Sequence, residues 1–202
     1  MPGAELNLDK QERINLGQAR VMLLQAPQPA NNILEKMFHG FGVREPILCH
    51  EVEEALERAK AGEQPDLIVC DADADGQSFD FVRRLRTTAP APNRYCPVIL
   101  LSGHTPLSHV QQARDCGANF VVAKPLKALV LLERIFWVSS DKRYFLDLPD
   151  YAGPDRRFHF LGPPPGDPGR RTGDGQDVGQ ATTENLTQAE IDAILRLPPR
   201  AA

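Results

Sequence analysis

The sequence lacks several features that would place it in a common class of protein. No apolar run approaches the roughly 20 residues that a membrane helix needs, and residues 1–5 lack the basic-then-apolar layout of a signal peptide. Its four cysteines show no CxxC spacing, which favours a reducing compartment. A net charge of −4 gives no overall basic field. We therefore expect a cytoplasmic protein with no membrane partner and no nucleic-acid partner.

What the sequence does contain is a regular alternation of short apolar runs and helical periods. The runs have the length and the composition of buried strands, and residues with helical spacing follow each of them. The five runs lie at residues 21–24, 47–49, 66–70, 97–101 and 120–123. Five strands that alternate with five helices predict an α/β fold, a doubly wound parallel sheet covered on both faces.

Three of these predicted strands are followed directly by a polar residue at the carboxyl end. Asp71 follows the third strand, Ser102 the fourth and Lys124 the fifth. Open α/β folds bind ligands at this edge of the sheet. A carboxylate can attack phosphorus, a hydroxyl can donate to a phosphoryl oxygen, and an ammonium group can neutralise one. The sequence therefore predicts a phosphoryl site at this edge.

The residues outside the alternating region are expected to form three further segments. Residues 1–19 are polar and predict an N-terminal arm before a domain at 20–138. Residues 151–180 hold seven glycines and five prolines, a composition that buries too little apolar surface to fold. We therefore predict a flexible linker over 139–183, followed by an amphipathic helix over 184–198.

The predicted C-terminal helix has the pattern of a docking element. Thr187 and Glu190 form a capping box, and Ile191, Ile194 and Leu195 share one apolar face. Such a helix on a tether docks either onto its own domain or onto a partner, and the sequence leaves both open. A second candidate contact for an acidic partner is the pair Arg156 and Arg157 in the linker, next to Phe158 and Phe160.

With these residues assigned, positions 20–138 resemble the receiver domain of bacterial response regulators. The resemblance implies a flavodoxin-like (βα)5 fold with strand order 2-1-3-4-5. It also implies that Asp71 stands at the phosphoacceptor position and that Ser102 and Lys124 contact the phosphoryl group. The Gly-Pro-Asp-Arg-Arg run at 153–157 is similar to the tail of a group of alphaproteobacterial receivers. A histidine kinase is the partner that this family implies.

The C-terminal helix carries a resemblance of its own. The stretch 185–195, Asn-Leu-Thr-Gln-Ala-Glu-Ile-Asp-Ala-Ile-Leu, is similar to the short N-terminal helix with which flagellar motor switch proteins capture the chemotaxis receiver. This resemblance adds another receiver or a motility component to the implied partners.

The departures from the family pattern decide the expected mechanism. Gln25 and Ala26 replace the acidic pair that holds Mg²⁺ in active receivers, and Val121 replaces the aromatic switch residue. Mg²⁺ requires hard oxygen ligands in an octahedron, usually including carboxylates. Asp73 and Asp75, in the loop after Asp71, are a weak remaining source, although loop aspartates more often form a solvated turn. We therefore expect a degenerate receiver without a cofactor or enzymatic activity, acting as a protein-binding adaptor. The alternative is a regulator that accepts a phosphoryl group on Asp71.

A more remote alternative is an enzyme. The run 67–73 is also similar to the first motif of haloacid dehalogenase-like phosphatases, with Asp71 as nucleophile and Asp73 as general acid. That family opens with its nucleophile strand, whereas two strand-helix units are predicted before Asp71. Its distal acidic motif would have to come from residues 173–177, in the predicted linker, which cannot preorganise a metal.

Several of these residues also have a purely structural interpretation. Lys124 can pair with Asp71 in a structural salt bridge, and Ser102 can satisfy amides of its own loop. Lone histidines without a surrounding ligand cluster predict solvent-facing positions, here His104 and His109. The closely spaced Arg83, Arg84 and Arg86 predict the solvated face of a helix.

Overall fold

Five parallel strands form the central sheet of the computed structural model, which describes residues 16–26, 33–71, 77–141, 143–156 and 186–195. The strands are β1 (Val21–Leu24), β2 (Ile47–Cys49), β3 (Leu67–Asp71), β4 (Val98–Ser102) and β5 (Phe120–Ala123). Their order is β2-β1-β3-β4-β5, which confirms the predicted flavodoxin-like topology. The register sets Asp71 opposite Leu101 and Ser102 opposite Ala123, so the polar strand ends share one edge.

Five helices pack against this sheet and complete its core. They are α1 (Ile33–Gly40), α2 (Val52–Lys60), α3 (Gln77–Thr88), α4 (Leu107–Asp115) and α5 (Ala128–Ser139). Each buries an apolar stripe, and the side chains of β1, β3 and β4 are almost wholly buried. Each fully buried Val, Leu, Ile or Met side chain among them contributes about 1.5–3 kcal/mol by leaving water. The alternation of strands and helices predicted from the sequence is thereby confirmed. Within the described residues, no helix is long and apolar enough to cross a bilayer.

An antiparallel hairpin follows α5, in a segment for which the sequence predicted a flexible linker. Its strands are β6 (Phe145–Leu148) and β7 (Tyr151–Pro154). All four residues of β7 are buried. The expectation of a linker over 139–183 is therefore wrong for residues 143–156, while residues 157–185 lie outside the described part of the chain. The hairpin is stabilised by contacts with distant residues rather than by its own composition.

The first of these contacts is a close approach of two backbones. Gly117 ends α4 with φ +94, and a Cβ atom there would collide with the carbonyl oxygen of Ala152. A Cβ atom at Gly153 would lie 2.7 Å from the Cα atom of Gly117. Each glycine thus removes a side chain that would separate β7 from the turn after α4.

The second contact is made by Arg86, which the sequence had assigned to the solvated face of α3. That expectation is wrong, because Arg86 is 1% exposed. Its guanidinium donates to the carbonyl groups of Gly117, Arg94 and Cys96 at 2.7–3.1 Å, and to Oδ1 of Asn119 at 3.0 Å. Burial lowers its pKa to about 10, so the group is charged at neutral pH. One buried cation therefore joins α3 to the loops on which the hairpin packs.

The Gly-Pro-Asp-Arg-Arg run continues this packing. The Asp155 amide donates to the carbonyl of Tyr144 at 2.7 Å, and the hydroxyl of Tyr151 donates to the carbonyl of Pro154. The Arg156 guanidinium lies 4.3 Å from the centre of the Tyr151 ring and pairs with Asp115 at 2.9 Å. Arg156 thus has an intramolecular structural role, and Arg157 lies outside the described residues.

The last described element is α6 (Gln188–Ile194). The Thr187 side chain accepts a hydrogen bond from the Glu190 amide, and the Glu190 carboxylate accepts one from the Thr187 amide. The capping box predicted from the sequence is therefore confirmed.

Substituting Gly117 should separate the packing of the hairpin from backbone strain. Gly117→Ala places a methyl group against β7 as well as in the left-handed region, so we expect a loss of about 3 kcal/mol or more of unfolding free energy. The matched control is Gly62→Ala, because Gly62 has φ +98 with no atom near its missing Cβ. It should lose only about 1 kcal/mol. Urea denaturation measures both, and equal losses would contradict the role given to the close approach.

Candidate functional site

An ion pair lies at the carboxyl edge of the sheet. Nζ of Lys124 donates to Oδ1 of Asp71 at 2.7 Å, which joins the end of β3 to the residue that follows β5. The two side chains are only 28% and 19% exposed, respectively. Partial burial strengthens the attraction relative to a surface pair, since less water screens it. The structure therefore brings together the predicted carboxylate and the predicted ammonium group.

The third predicted residue, Ser102, directs its hydroxyl group toward its own loop. Oγ donates to the carbonyl of His104 at 2.7 Å and accepts from the His104 amide at 3.1 Å. Nε2 of His109 lies 3.3 Å from the same oxygen, and the His109 ring packs on Phe79 with centroids 4.7 Å apart. The expected solvent-facing position of His109 is therefore wrong: α4 holds this half-buried ring against Ser102. The sequence signal for this contact was the position of His109, which is the third residue of α4 and lies seven residues after Ser102.

A cleft opens beside Asp71, and the two residues that replace the acidic pair lie in it. Gln25 and Ala26 line this cleft together with Asp71. Other carboxylates line it too, but Arg84 pairs with Glu53 at 2.6 Å and with Asp80 at 3.6 Å. The hydrogen bond from Arg84 lowers the pKa of the Glu53 carboxyl group. Arg84 thus offsets part of the negative charge of the cleft wall, which also includes Glu51.

Within the described residues, no group of three or more His, Cys, Asp and Glu side chains is placed to hold a metal ion. The remaining source of ligands proposed from the sequence includes Asp73, which lies outside the described residues. For the positions that are described, a carboxamide and a methyl group stand where Mg²⁺ ligands were expected in an active receiver.

The edge strand β5 carries Val121, the expected switch position, and contacts α6. Val121 is 1% exposed. The side chain of Gln188 donates to the Val121 carbonyl at 3.2 Å and accepts from the Ala123 amide at 2.8 Å. Position 121 thus meets the C-terminal helix of the same chain.

The rest of α6 also packs on this domain. Ile191 is 0% and Leu195 5% exposed, and both belong to the main hydrophobic core. The Asp192 carboxylate pairs with Arg134 of α5. Of the two docking modes left open by the sequence, the structure has the helix on its own domain. Three predicted partner-binding residues, Ile191, Ile194 and Leu195, therefore contact the core of their own chain.

Comparison with known proteins places this architecture in a family. The family model described as the response regulator receiver domain matches residues 27–136. The transcriptional activator protein ExaE of Pseudomonas putida is 31% identical over 167 residues, which cover 82% of this chain and 67% of that protein. The sensory/regulatory protein RpfC of Xanthomonas campestris is 28% identical over 116 residues, 56% of this chain and 16% of that protein.

Solved structures show the same fold. The chemotaxis protein CheY4 of Vibrio cholerae matches with a TM-score of 0.53 at 21% identity, over 59% of this chain and 98% of that one. The receiver domain of the sensor histidine kinase PA1611 from Pseudomonas aeruginosa matches with a TM-score of 0.51 at 25% identity, over 60% and 99% of the two chains. That domain was crystallised with a magnesium ion in its active-site cleft.

The cysteine thiols should be inert in the folded protein. All four are buried, and burial raises the pKa of Cys49 to about 11, that of Cys96 to about 12 and that of Cys70, beside Asp71, well above its ordinary value. Because the thiolate is the reactive form, labelling by a disulfide reagent at pH 8 should require unfolding.

The same pKa shifts predict how stability depends on pH. A thiol whose pKa is raised by folding contributes stability that is fully present below its unfolded pKa of about 9 and is lost as pH rises through the folded value. Urea midpoints should therefore fall between about pH 9 and pH 12. Rapid labelling of the native protein, or stability that is flat over this range, would contradict the buried neutral state of the thiols.

Proposed function

The chain belongs to the response-regulator receiver family, and on that premise we propose that it acts in bacterial two-component or motility signalling as a protein-binding adaptor. Its output would then be set by partners and would not require Mg²⁺-dependent phosphorylation. The observation that carries this proposal is that Gln25 and Ala26, which carry no charge, line the cleft beside Asp71.

The charge at the site supports the proposal. The family implies Mg²⁺, a small cation that needs near-ideal octahedral geometry and is usually held through one or two carboxylates. The described residues do not fit it, because Gln25 and Ala26 add no charge beside Asp71, and no group of three or more His, Cys, Asp and Glu side chains among these residues is placed to hold a metal ion. Without a divalent cation, the charge that develops on a transferring phosphoryl group faces the Asp71 carboxylate with Lys124 as its counterion.

The position of Ser102 supports it as well. In a phosphoryl switch this hydroxyl group would turn toward the new phosphoryl oxygens. Here it would first have to give up its contacts with His104 and His109, which fix its orientation in a site that is 1% exposed. Loss of such a buried contact costs about 1 kcal/mol.

The proposed partners are other signalling proteins: a histidine kinase, another receiver or a motility component. The proposed adaptor would work in the cytoplasm without a catalytic cycle of its own, and without a membrane or nucleic acid. The phosphatase alternative loses its basis, because β1 and β2 precede Asp71 in a sheet of receiver topology.

One observation favours a second candidate function, a regulator that accepts a phosphoryl group on Asp71. The chain retains Asp71 and Lys124 in contact at the carboxyl edge. The receiver of PA1611, to which it is similar, was solved with a magnesium ion. Phosphorylation measurements separate the two functions.

Incubating the full chain with acetyl phosphate and Mg²⁺ should leave Asp71 unmodified, because the site lacks the charge needed to hold the metal. Intact-mass spectrometry detects the product, and Asp71→Asn is the control for modification elsewhere. Stoichiometric phosphorylation that disappears in Asp71→Asn would establish the phosphoaccepting function instead.

Restoring the acidic pair should restore metal binding. The double variant Gln25→Asp with Ala26→Asp adds two carboxylates beside Asp71, so Mg²⁺ should bind with a Kd on the order of millimolar or tighter. Gln25→Asn with Ala26→Ser is the uncharged control. Isothermal titration measures both. If the charged variant binds no metal, the missing charges do not explain the loss of the site.

A further inference from the structure

The side chain of Gln188 contacts the backbone at one edge of the sheet. β5 is one of the two outer strands in the order β2-β1-β3-β4-β5, so its outward N–H and C=O groups need partners. The Gln188 carboxamide supplies both: Oε1 accepts from the Ala123 amide at 2.8 Å, and Nε2 donates to the Val121 carbonyl at 3.2 Å. One side-chain amide thus takes the place of a peptide unit of a sixth strand.

Two further hydrogen bonds fix the start of α6. The Leu186 amide donates to the carbonyl of Thr105, and the Thr105 hydroxyl donates to the carbonyl of Leu186, both at 2.7 Å. Thr105 is 2% exposed and lies in the loop between β4 and α4. The capped end of α6 therefore meets the loop that also contains His104, a partner of Ser102.

The other end of α6 is fixed by charge and by apolar packing. Asp192 pairs with Arg134 of α5 and accepts a hydrogen bond from Gln188 at 2.9 Å. Ile191 and Leu195 enter the core, whereas Ala189 and Ala193 face solvent. The surface formed by the β4–α4 loop, β5 and α5, called the β5 groove below, thus recognises three kinds of group: an amide, an acid and two aliphatic side chains.

We propose that α6 is a displaceable plug of the β5 groove, and that the partner that displaces it presents a helix of the same chemistry. That partner helix would carry Gln at its first helical position, an aliphatic residue three positions later and an acidic residue next to it, as Gln188, Ile191 and Asp192 do here. This inference rests on the proposed adaptor function, because it names the surface and the partner through which the adaptor would act.

The plug is displaceable because its own stability is small. α6 has seven residues, and an isolated helix of this length is unstable in water, so docking supplies its order. The helix keeps its place because helix and groove are in one chain and their encounter is intramolecular. A partner helix must therefore overcome the high effective concentration of α6 at its own groove. A partner helix that makes more contacts in the groove than α6 does can replace it.

Two matched variants of the full chain test the plug. Ile191→Glu puts a carboxylate into the core and should release α6, while Ala193→Glu adds the same charge on the exposed face and should leave it docked. The probe is a fluorescein-labelled peptide of residues 184–198, measured by fluorescence anisotropy in EDTA without a phosphoryl donor. A peptide with Gln188→Ala and Asp192→Ala is the control for recognition.

The peptide should bind Ile191→Glu at least about tenfold more tightly than it binds the wild type or Ala193→Glu, because only the first variant leaves the groove open. The doubly substituted peptide should bind more weakly. Equal affinities for the three proteins, or no binding to a folded Ile191→Glu variant, would overturn the proposal. If light scattering shows a wild-type dimer that Ile191→Glu converts to a monomer, α6 is exchanged between copies, which also overturns the intramolecular plug.

Hydrogen exchange provides a second readout that does not depend on peptide binding. The Ala123 amide should exchange at least about tenfold faster in Ile191→Glu, while the amides of β1 and β3 keep their rates. Unchanged exchange at Ala123 would overturn the plug. Because no metal or phosphoryl donor is present, a failure here is distinct from phosphorylation of Asp71, which would overturn the proposed adaptor function.

Discussion

The site depends on one electrostatic constraint, the contact of Lys124 with Asp71 across the carboxyl edge of a parallel sheet. A single carboxylate can be neutralised by one ammonium group, whereas a cluster of three would repel itself without a divalent cation. Gln25 and Ala26 remove the other two charges, so the proposed resting state needs no metal. Lys124 follows β5, and this pair therefore also anchors the strand on which α6 docks.

The two ends of the domain use the same means of holding added segments. At one end, β7 packs because Gly117 and Gly153 allow backbone contact and the buried Arg86 satisfies the surrounding carbonyl groups. At the other, α6 packs because Gln188 satisfies the open backbone of β5. In both cases a polar side chain forms the backbone hydrogen bonds that a neighbouring strand or helix would otherwise form. Burial of apolar side chains supplies most of the favourable free energy. The domain is thereby extended beyond its five strand-helix units.

The sheet and its polar edge could be predicted from local sequence, since a buried strand such as 67–70 reveals itself by its own apolar residues. The hairpin could not, because the close packing of Ala152 in β7 depends on Gly117, which lies more than thirty positions earlier. Arg86 and its neighbours Arg83 and Arg84 look alike in sequence, and only the loops that α3 meets decide which one is buried. The capping box of α6 could be predicted, because it depends on two residues only three positions apart. The docking of α6 on β5 could not be predicted, because the sequence is compatible with docking onto its own domain or onto a partner.

The central claim is that this receiver does not respond to a phosphoryl group through Mg²⁺. Its most direct test is an NMR titration of the ¹⁵N-labelled full chain with Mg²⁺ and beryllofluoride, a phosphoryl mimic. The account predicts no saturable shift at the amides of Asp71, Ser102 and Lys124, and an unchanged Ala123 amide under α6. Saturable shifts at these amides, accompanied by loss of the Ala123 contact, would show a working phosphoryl switch and would contradict the account.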